Sequence, residues 1–185
     1  MSKLIAVTGV TAVGKDYLLD RSLAQMPHIN RRNFGCELGE HLGIDKDSII
    51  ATVDRSKLRR ATEEVSMKMA DLRPLFLSSH VVQTLDDTAD EILPVESIMH
   101  ADSYVVVVAP PELIYERVQK RNELGKRTSE VTSIDQIGRL QKHQLSVVGY
   151  ICGALCSQLV VLENIPGNTR DNIERLREIA TTITE

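Results

Sequence analysis

Residues Gly9 to Asp16, GVTAVGKD, place two glycines five apart and a lysine directly after the second. These residue types at this spacing can bind phosphate. The glycines let the backbone curl so that several N–H groups point at one anion. A following helix adds its N-terminal N–H groups and its dipole, and Lys15 supplies a mobile cation for the outer phosphates. The candidate contacts are Gly9, Val10, Thr11, Ala12, Val13, Gly14, Lys15 and Asp16. The last departs from the common form of such loops, where a serine or threonine hydroxyl coordinates Mg2+ beside the phosphates. A carboxylate is a harder oxygen ligand for that ion, which makes Asp16 a candidate metal ligand. The alternative is an acidic first-turn residue favoured by the positive end of a helix dipole.

The loop needs a strand before it and a helix after it, and the sequence supplies both. KLIAVTG is a short apolar run ending in glycine, and GKDYLLDRSLAQM carries apolar residues at helical spacing. RPLFLSS, SYVVVVAP and QLVVLENI read as further strands, and HINRRNF (28–34) as a short one. Continuous β-branched runs suit strands covered on both faces of a parallel sheet. Between them, DRSKLRRATEEVSMKMADL, PPELIYERVQKRNE, TSIDQIGRLQKHQLSVVGYICGALC and RDNIERLREIATTITE read as helices. Asp171 and Glu174 resemble a capping box in the last of these. Alternating strands and helices imply an α/β layer fold with a mostly parallel sheet.

The totals bound the function. A chain of 185 residues reads as one domain with a full core. A net charge of -4 without a basic stripe argues against a nucleic-acid partner, and the absence of Trp argues against stacking platforms for single strands. No apolar run has the length of a membrane span and the N-terminus lacks the form of a signal peptide, so a cytoplasmic protein without a membrane partner is expected. Cys36, Cys152 and Cys156 do not form a disulfide framework. Cys152 and Cys156 share a helix face and could meet a metal, but nothing is spaced to complete a tetrahedral site. Small buried thiols are the ordinary reading.

The order of strand, phosphate loop, NFGCELGEHLGIDKDSI, charged helix, LFLSSH, Arg-rich segment and LENIPGN resembles the archaeal-type adenylate kinases, within the P-loop nucleoside monophosphate kinases. The resemblance runs over nearly the whole chain and implies a three-layer P-loop fold with a five-stranded parallel sheet flanked by helices. It implies transfer of the γ-phosphate of Mg·ATP to a nucleoside monophosphate, with ATP and Mg2+ as cofactors. RVQKRNELGKR falls where that family has its lid, around 117–130, and Arg117, Arg121 and Arg127 fall where it has catalytic arginines beside Lys15. A solvated basic helix end is the alternative. Asn164, Pro166 and Gly167 match the adenine-contacting turn, although Pro–Gly is also an ordinary turn pair. Asn33, Phe34, Gly35, His80 and Gln83 fall at the acceptor site, and His80 could equally be a structural hydrogen-bonder. Trimers of that family suggest a homo-oligomer through the long helix, whose apolar residues Val147, Val148 and Ile151 also suit a plain core helix.

The departures carry information too. Cys36 stands where the family has an acid after NFG, and Ser78 stands where LFLSSH would normally end in an aspartate near the metal. The acceptor arginine has no clear equivalent. One economical reading is that the metal-directed carboxylate has moved into the phosphate loop as Asp16. Others are a different phosphorylated metabolite or modified nucleotide as acceptor, or a nucleotide-binding module that transfers nothing.

Overall fold

A computed structural model of the chain describes residues 3–46, 48–84, 90–92, 98–124 and 133–182, with the backbone alone for Ile50, Ala51, Gln83, Thr84 and Asp90–Ile92. Five parallel strands form one sheet in the order β2-β3-β1-β6-β7. They are β1 (Leu4–Thr8), β2 (Asn30–Asn33), β3 (Leu75–Ser79), β6 (Ser103–Val108) and β7 (Gln158–Glu163). The helices are α1 (Lys15–Leu23), α2 (Phe34–Leu42), α3 (Ile49–Thr52), α4 (Arg55–Ala70), α5 (Pro111–Glu123), α6 (Ile134–Leu155) and α7 (Thr169–Thr182). A short antiparallel hairpin, β4 (Val82–Thr84) and β5 (Asp90–Ile92), follows β3.

Every residue of β1 and β3 is buried, as are the four central residues of β6. Their mostly apolar composition, with the polar Thr8, Ser78 and Ser79 confined to the C-terminal ends of β1 and β3, is what a strand covered on both faces requires. The chain winds from β1 toward β2 and β3 on one side, then turns to β6 and β7 on the other. The loop after β1 therefore lies at the point where the winding reverses, the usual place for a ligand in an open α/β sheet.

The edges explain the weaker sequence signals. β2, NRRN, is polar and half-exposed because it pairs on one side only, with β3. β7 pairs with β6 alone, and its Leu159 and Val161 share an exposed face. The NFGCELGEHL stretch forms α2 from Phe34 to Leu42. Its two internal glycines lower helix propensity, but Asn33 caps its start by accepting from the Cys36 N–H at 3.2 Å. Gly43 closes its end at φ 68°. A Cβ on Gly39 would lie 2.7 Å from the Ile44 carbonyl, so packing decided that glycine.

Two local expectations need correction. α7 begins at Thr169, which puts Asp171 inside its first turn and not at a cap. Cys152 is buried but Cys156 is exposed, because Cys156 ends α6 in a left-handed conformation at φ 51°. Among the described residues no helix is long and apolar enough to cross a membrane.

Candidate active site

The segment between β1 and α1 is a curled loop. Ala12 has φ 62° and Gly14 φ 96°, and alternation of left- and right-handed residues is what turns successive N–H groups inward. Both glycines are also required sterically. A Cβ on Gly9 would meet the Val107 carbonyl at 2.8 Å, and one on Gly14 would run into the Asn164 amide. α2, α4 and α6 begin under side-chain caps from Asn33, Asp54 and Ser133. α1 follows Gly14 and, like α3 and α5, has no side-chain cap; a helix start of this kind can present N–H groups to an anion.

The loop is braced from behind. The Asn164 amide donates to the Val13 carbonyl at 2.8 Å. Arg117 donates to the same carbonyl at 2.9 Å and to the Asn164 carbonyl at 3.2 Å. Burial pulls the Arg117 guanidinium below its ordinary value. At the far end of α1, Arg177 donates to the Ser22 and Arg21 carbonyls, which satisfies last-turn acceptors that would otherwise lack partners. Beneath the loop, Thr8 accepts from the Gln144 amide of α6.

Lys15 is buried, and its Nζ lies 2.9 Å from His80 Nε2 just past β3. Beside it, the Asp16 carboxylate accepts through Oδ1 from the Ser78 hydroxyl at 2.8 Å and from Arg31 at 3.3 Å. Oδ2 has no partner among the described residues. Burial raises the Asp16 pKa, but Lys15, the Ser78 hydroxyl, Arg31 and His80 together outweigh it and hold the carboxyl below its usual value. The result is an ionised carboxylate beside the phosphate loop, with one oxygen that has no partner among the described residues. That suits Mg2+, which binds through one or two carboxylates and takes its remaining ligands from substrate phosphates and water. Among the described residues no three His, Cys, Asp or Glu side chains cluster to hold a metal by themselves, so phosphate oxygens would have to complete the shell.

The remaining candidates scatter more. Arg121 stands one turn beyond Arg117 on the same face of α5 and is half-buried. Arg127 lies outside the described residues, as does the lid segment beyond Leu124. Pro166 and Gly167 form a turn closed by the Asn168 N–H on the Ile165 carbonyl at 3.1 Å, with Gly167 at φ 105°. That is the position where only glycine is relaxed. Phe34 is in the core, Asn33 caps α2, and Gly35 lies in its first turn. Gln83 sits opposite Glu91 in the hairpin. The sequence linked Ser78 to Asp16 only as the place a metal-directed carboxylate had left, not as its hydrogen-bond donor, and did not single out Arg31. The available signal was a pair of acids, Asp16 and Asp20, one helical turn apart and in need of a counterion.

Solved structures share this architecture. A shikimate kinase from Bacteroides thetaiotaomicron superposes with a TM-score of 0.66 at 11% identity, covering 98% of this chain and 99% of that one. A shikimate kinase from Acinetobacter baumannii, in complex with shikimate, gives 0.63 at 15% identity over 98% and 94%. A sugar kinase from Janibacter sp. gives 0.51 at 16% over 100% and 95%. The shared fold is a five-stranded parallel sheet flanked by helices. Identities this low bear on the fold alone. No family model matches the chain, and no curated protein matches it in sequence.

Proposed function

We propose that the chain transfers the γ-phosphoryl group of Mg·ATP to a small acceptor, with a nucleoside monophosphate as the acceptor class favoured by the adenylate-kinase-like sequence pattern. It acts as one unit over residues 1–185. The observation that carries this reading is the conjunction at α1: a helix start without a side-chain cap, a loop curled by left-handed Ala12 and Gly14, and Lys15 and Asp16 side by side.

In this reading the loop N–H groups and Lys15 hold the β- and γ-phosphates. Asp16, supported by Ser78, holds Mg2+, which neutralises charge on the phosphate oxygens when bound. An acceptor phosphate oxygen attacks the γ-phosphorus, the bond to the β,γ-bridging oxygen breaks, and ADP departs. Such an oxygen is already anionic, so the step needs no general base. It needs positive charge on the migrating group, and Arg121 and Arg127 supply that as part of a lid around 117–130. Arg117 and Asn164 hold the loop in shape for it.

The test is incubation with Mg·ATP and a panel of nucleoside monophosphates, phosphorylated metabolites and unphosphorylated small molecules, with product detection. ADP formation with a monophosphate supports the reading, provided that Lys15→Met abolishes it. Turnover with a different phosphorylated metabolite shifts the acceptor class. ATP binding without turnover on any acceptor favours a non-catalytic module.

We also infer self-association. Tyr150 is 79% exposed and Val161 50% exposed. Val148 and Ile151, by contrast, are used in the core. The surface for a second copy is therefore the β7 edge with the end of α6.

A further inference from the structure

Arg31 belongs to no motif, yet it reaches the centre of the site from β2. Its guanidinium spans two carboxylates of α1: Nη1 pairs with Asp20, and Nη2 lies 3.3 Å from Asp16 Oδ1. Asp16 and Asp20 are four residues apart, hence stacked on one helix face, where like charges repel. A guanidinium suits this place because its rigid fork presents separate donors to two acceptors, which an ammonium on a flexible stem does less well. The three groups differ in exposure. The Arg31 side chain is 30% exposed, Asp16 47% and Asp20 61%. Asp20 is therefore the outer anchor, and Asp16 is the contact that lies within the site.

We propose that Arg31 is a built-in counterion that competes with the metal for Asp16, and that Asp20 holds the arginine when the metal takes its place. This rests on the reading of Asp16 as the metal-holding residue. Arg31 and the metal are both cations drawn to one carboxylate. With the metal absent, Arg31 neutralises Asp16, so the loop can still accept an uncomplexed phosphate. A metal held by Asp16 would repel the guanidinium, and the Asp20 contact would keep the side chain in place. Arg31 is thus a positioning residue. It sets how strongly nucleotide binding depends on the metal, and it touches neither in order to do so.

The test is a titration of manganese(II) by electron paramagnetic resonance in the presence of saturating ADP, with ADP affinity measured by calorimetry with and without the ion. Arg31→Gln should tighten manganese binding about tenfold, the scale of removing one unit charge a few Å away at a half-exposed site. Arg31→Lys, which keeps the charge but loses the fork, should fall between Gln and wild type. Asp20→Asn should weaken manganese binding several-fold in the wild-type background, because the arginine then leans on Asp16. It should do so much less in the Arg31→Gln background. Unchanged or weaker manganese binding in Arg31→Gln overturns the proposal, as does an Asp20→Asn effect of equal size in both backgrounds. Asp16→Asn separates the two levels. If it leaves manganese binding unchanged, the metal reading itself fails and takes the proposal with it. If it weakens binding while Arg31→Gln has no effect, only the counterion role is lost.

Discussion

The Ser78 hydroxyl donates to the Asp16 carboxylate across 2.8 Å, joining the end of β3 to the first turn of α1. P-loop enzymes commonly hold Mg2+ between a loop hydroxyl and a carboxylate from a neighbouring strand. Here the same two groups face each other with their positions exchanged.

The exchange predicts a rescue. Asp16→Ser alone leaves two hydroxyls and no carboxylate at this pair, so it should weaken magnesium-dependent ADP binding roughly tenfold or more, the scale of one lost charged contact. Adding Ser78→Asp should recover most of that loss. Calorimetry of the single and double variants decides the point, and a double variant no better than Asp16→Ser refutes the exchange.

Acid should weaken the fold through the same residue. The Asp16 carboxyl is held below its unfolded value of 3.8 despite its burial. A depressed folded pKa contributes stability that is complete above the unfolded value and fades as the pH falls through the folded one. Urea melts of wild type and Asp16→Asn should differ at neutral pH, and the gap should close well below pH 3.8. A gap that stays constant with pH would mean that the carboxylate charge is not what stabilises.

Arg117 and Arg121 should fail in different ways. Arg117→Met removes two donations to main-chain carbonyls, and charged hydrogen bonds of this kind are worth about 1.5–3 kcal/mol. Stability and ADP affinity should both fall. Arg121→Ala should leave the melting curve nearly unchanged and lower kcat by on the order of 10³, as for other arginines that neutralise a migrating phosphoryl group. Thermal melts paired with steady-state kinetics separate them. Equal effects on both readouts would erase the distinction.

Gly14→Ala should damage the loop twice over. It forces a side chain onto φ 96° and into the Asn164 amide, for a strain of about 1–3 kcal/mol. Asn164→Ala removes the obstruction but also the brace on Val13, so the double variant should regain part of the stability and little of the ADP affinity. Chemical denaturation and ADP titration provide both numbers. Full nucleotide affinity in Gly14→Ala would show that the loop shape is not needed.

Val161→Glu places a charge on the exposed face of the β7 edge, where it touches no core group. It should dissociate any oligomer without changing the melting temperature of the monomer. Light scattering at micromolar concentration, on wild type and variant, is the check. A wild type that is monomeric throughout removes self-association from the reading.

The sequence by itself determined the central strands and the loop, but not the β4–β5 hairpin. Apolar runs such as SYVVVV can only be satisfied between two layers, and two glycines before a lysine dictate a curled, anion-facing backbone at whatever place the fold puts it. These signals are local, written in residues adjacent along the chain, which is why β1, β3, β6 and the start of α1 were legible. The polar β2 and the glycine-containing α2 were harder, since edge pairing and caps override propensity there. What the sequence could not determine was which distant side chains meet. Arg117, placed by resemblance in a lid, donates to the Val13 carbonyl. Asn164, placed by resemblance in an adenine-contacting turn, donates to the same carbonyl and lies against Gly14. Ser78 and Asp16 are 62 residues apart, and Arg31 is 15 residues from Asp16. Only the parallel register of β2, β3 and β1 brings their ends together at α1. Charge and hydrogen-bonding capacity are properties of single residues, but a partner is a property of the sheet order, and that was decided when the chain reversed its winding after β3.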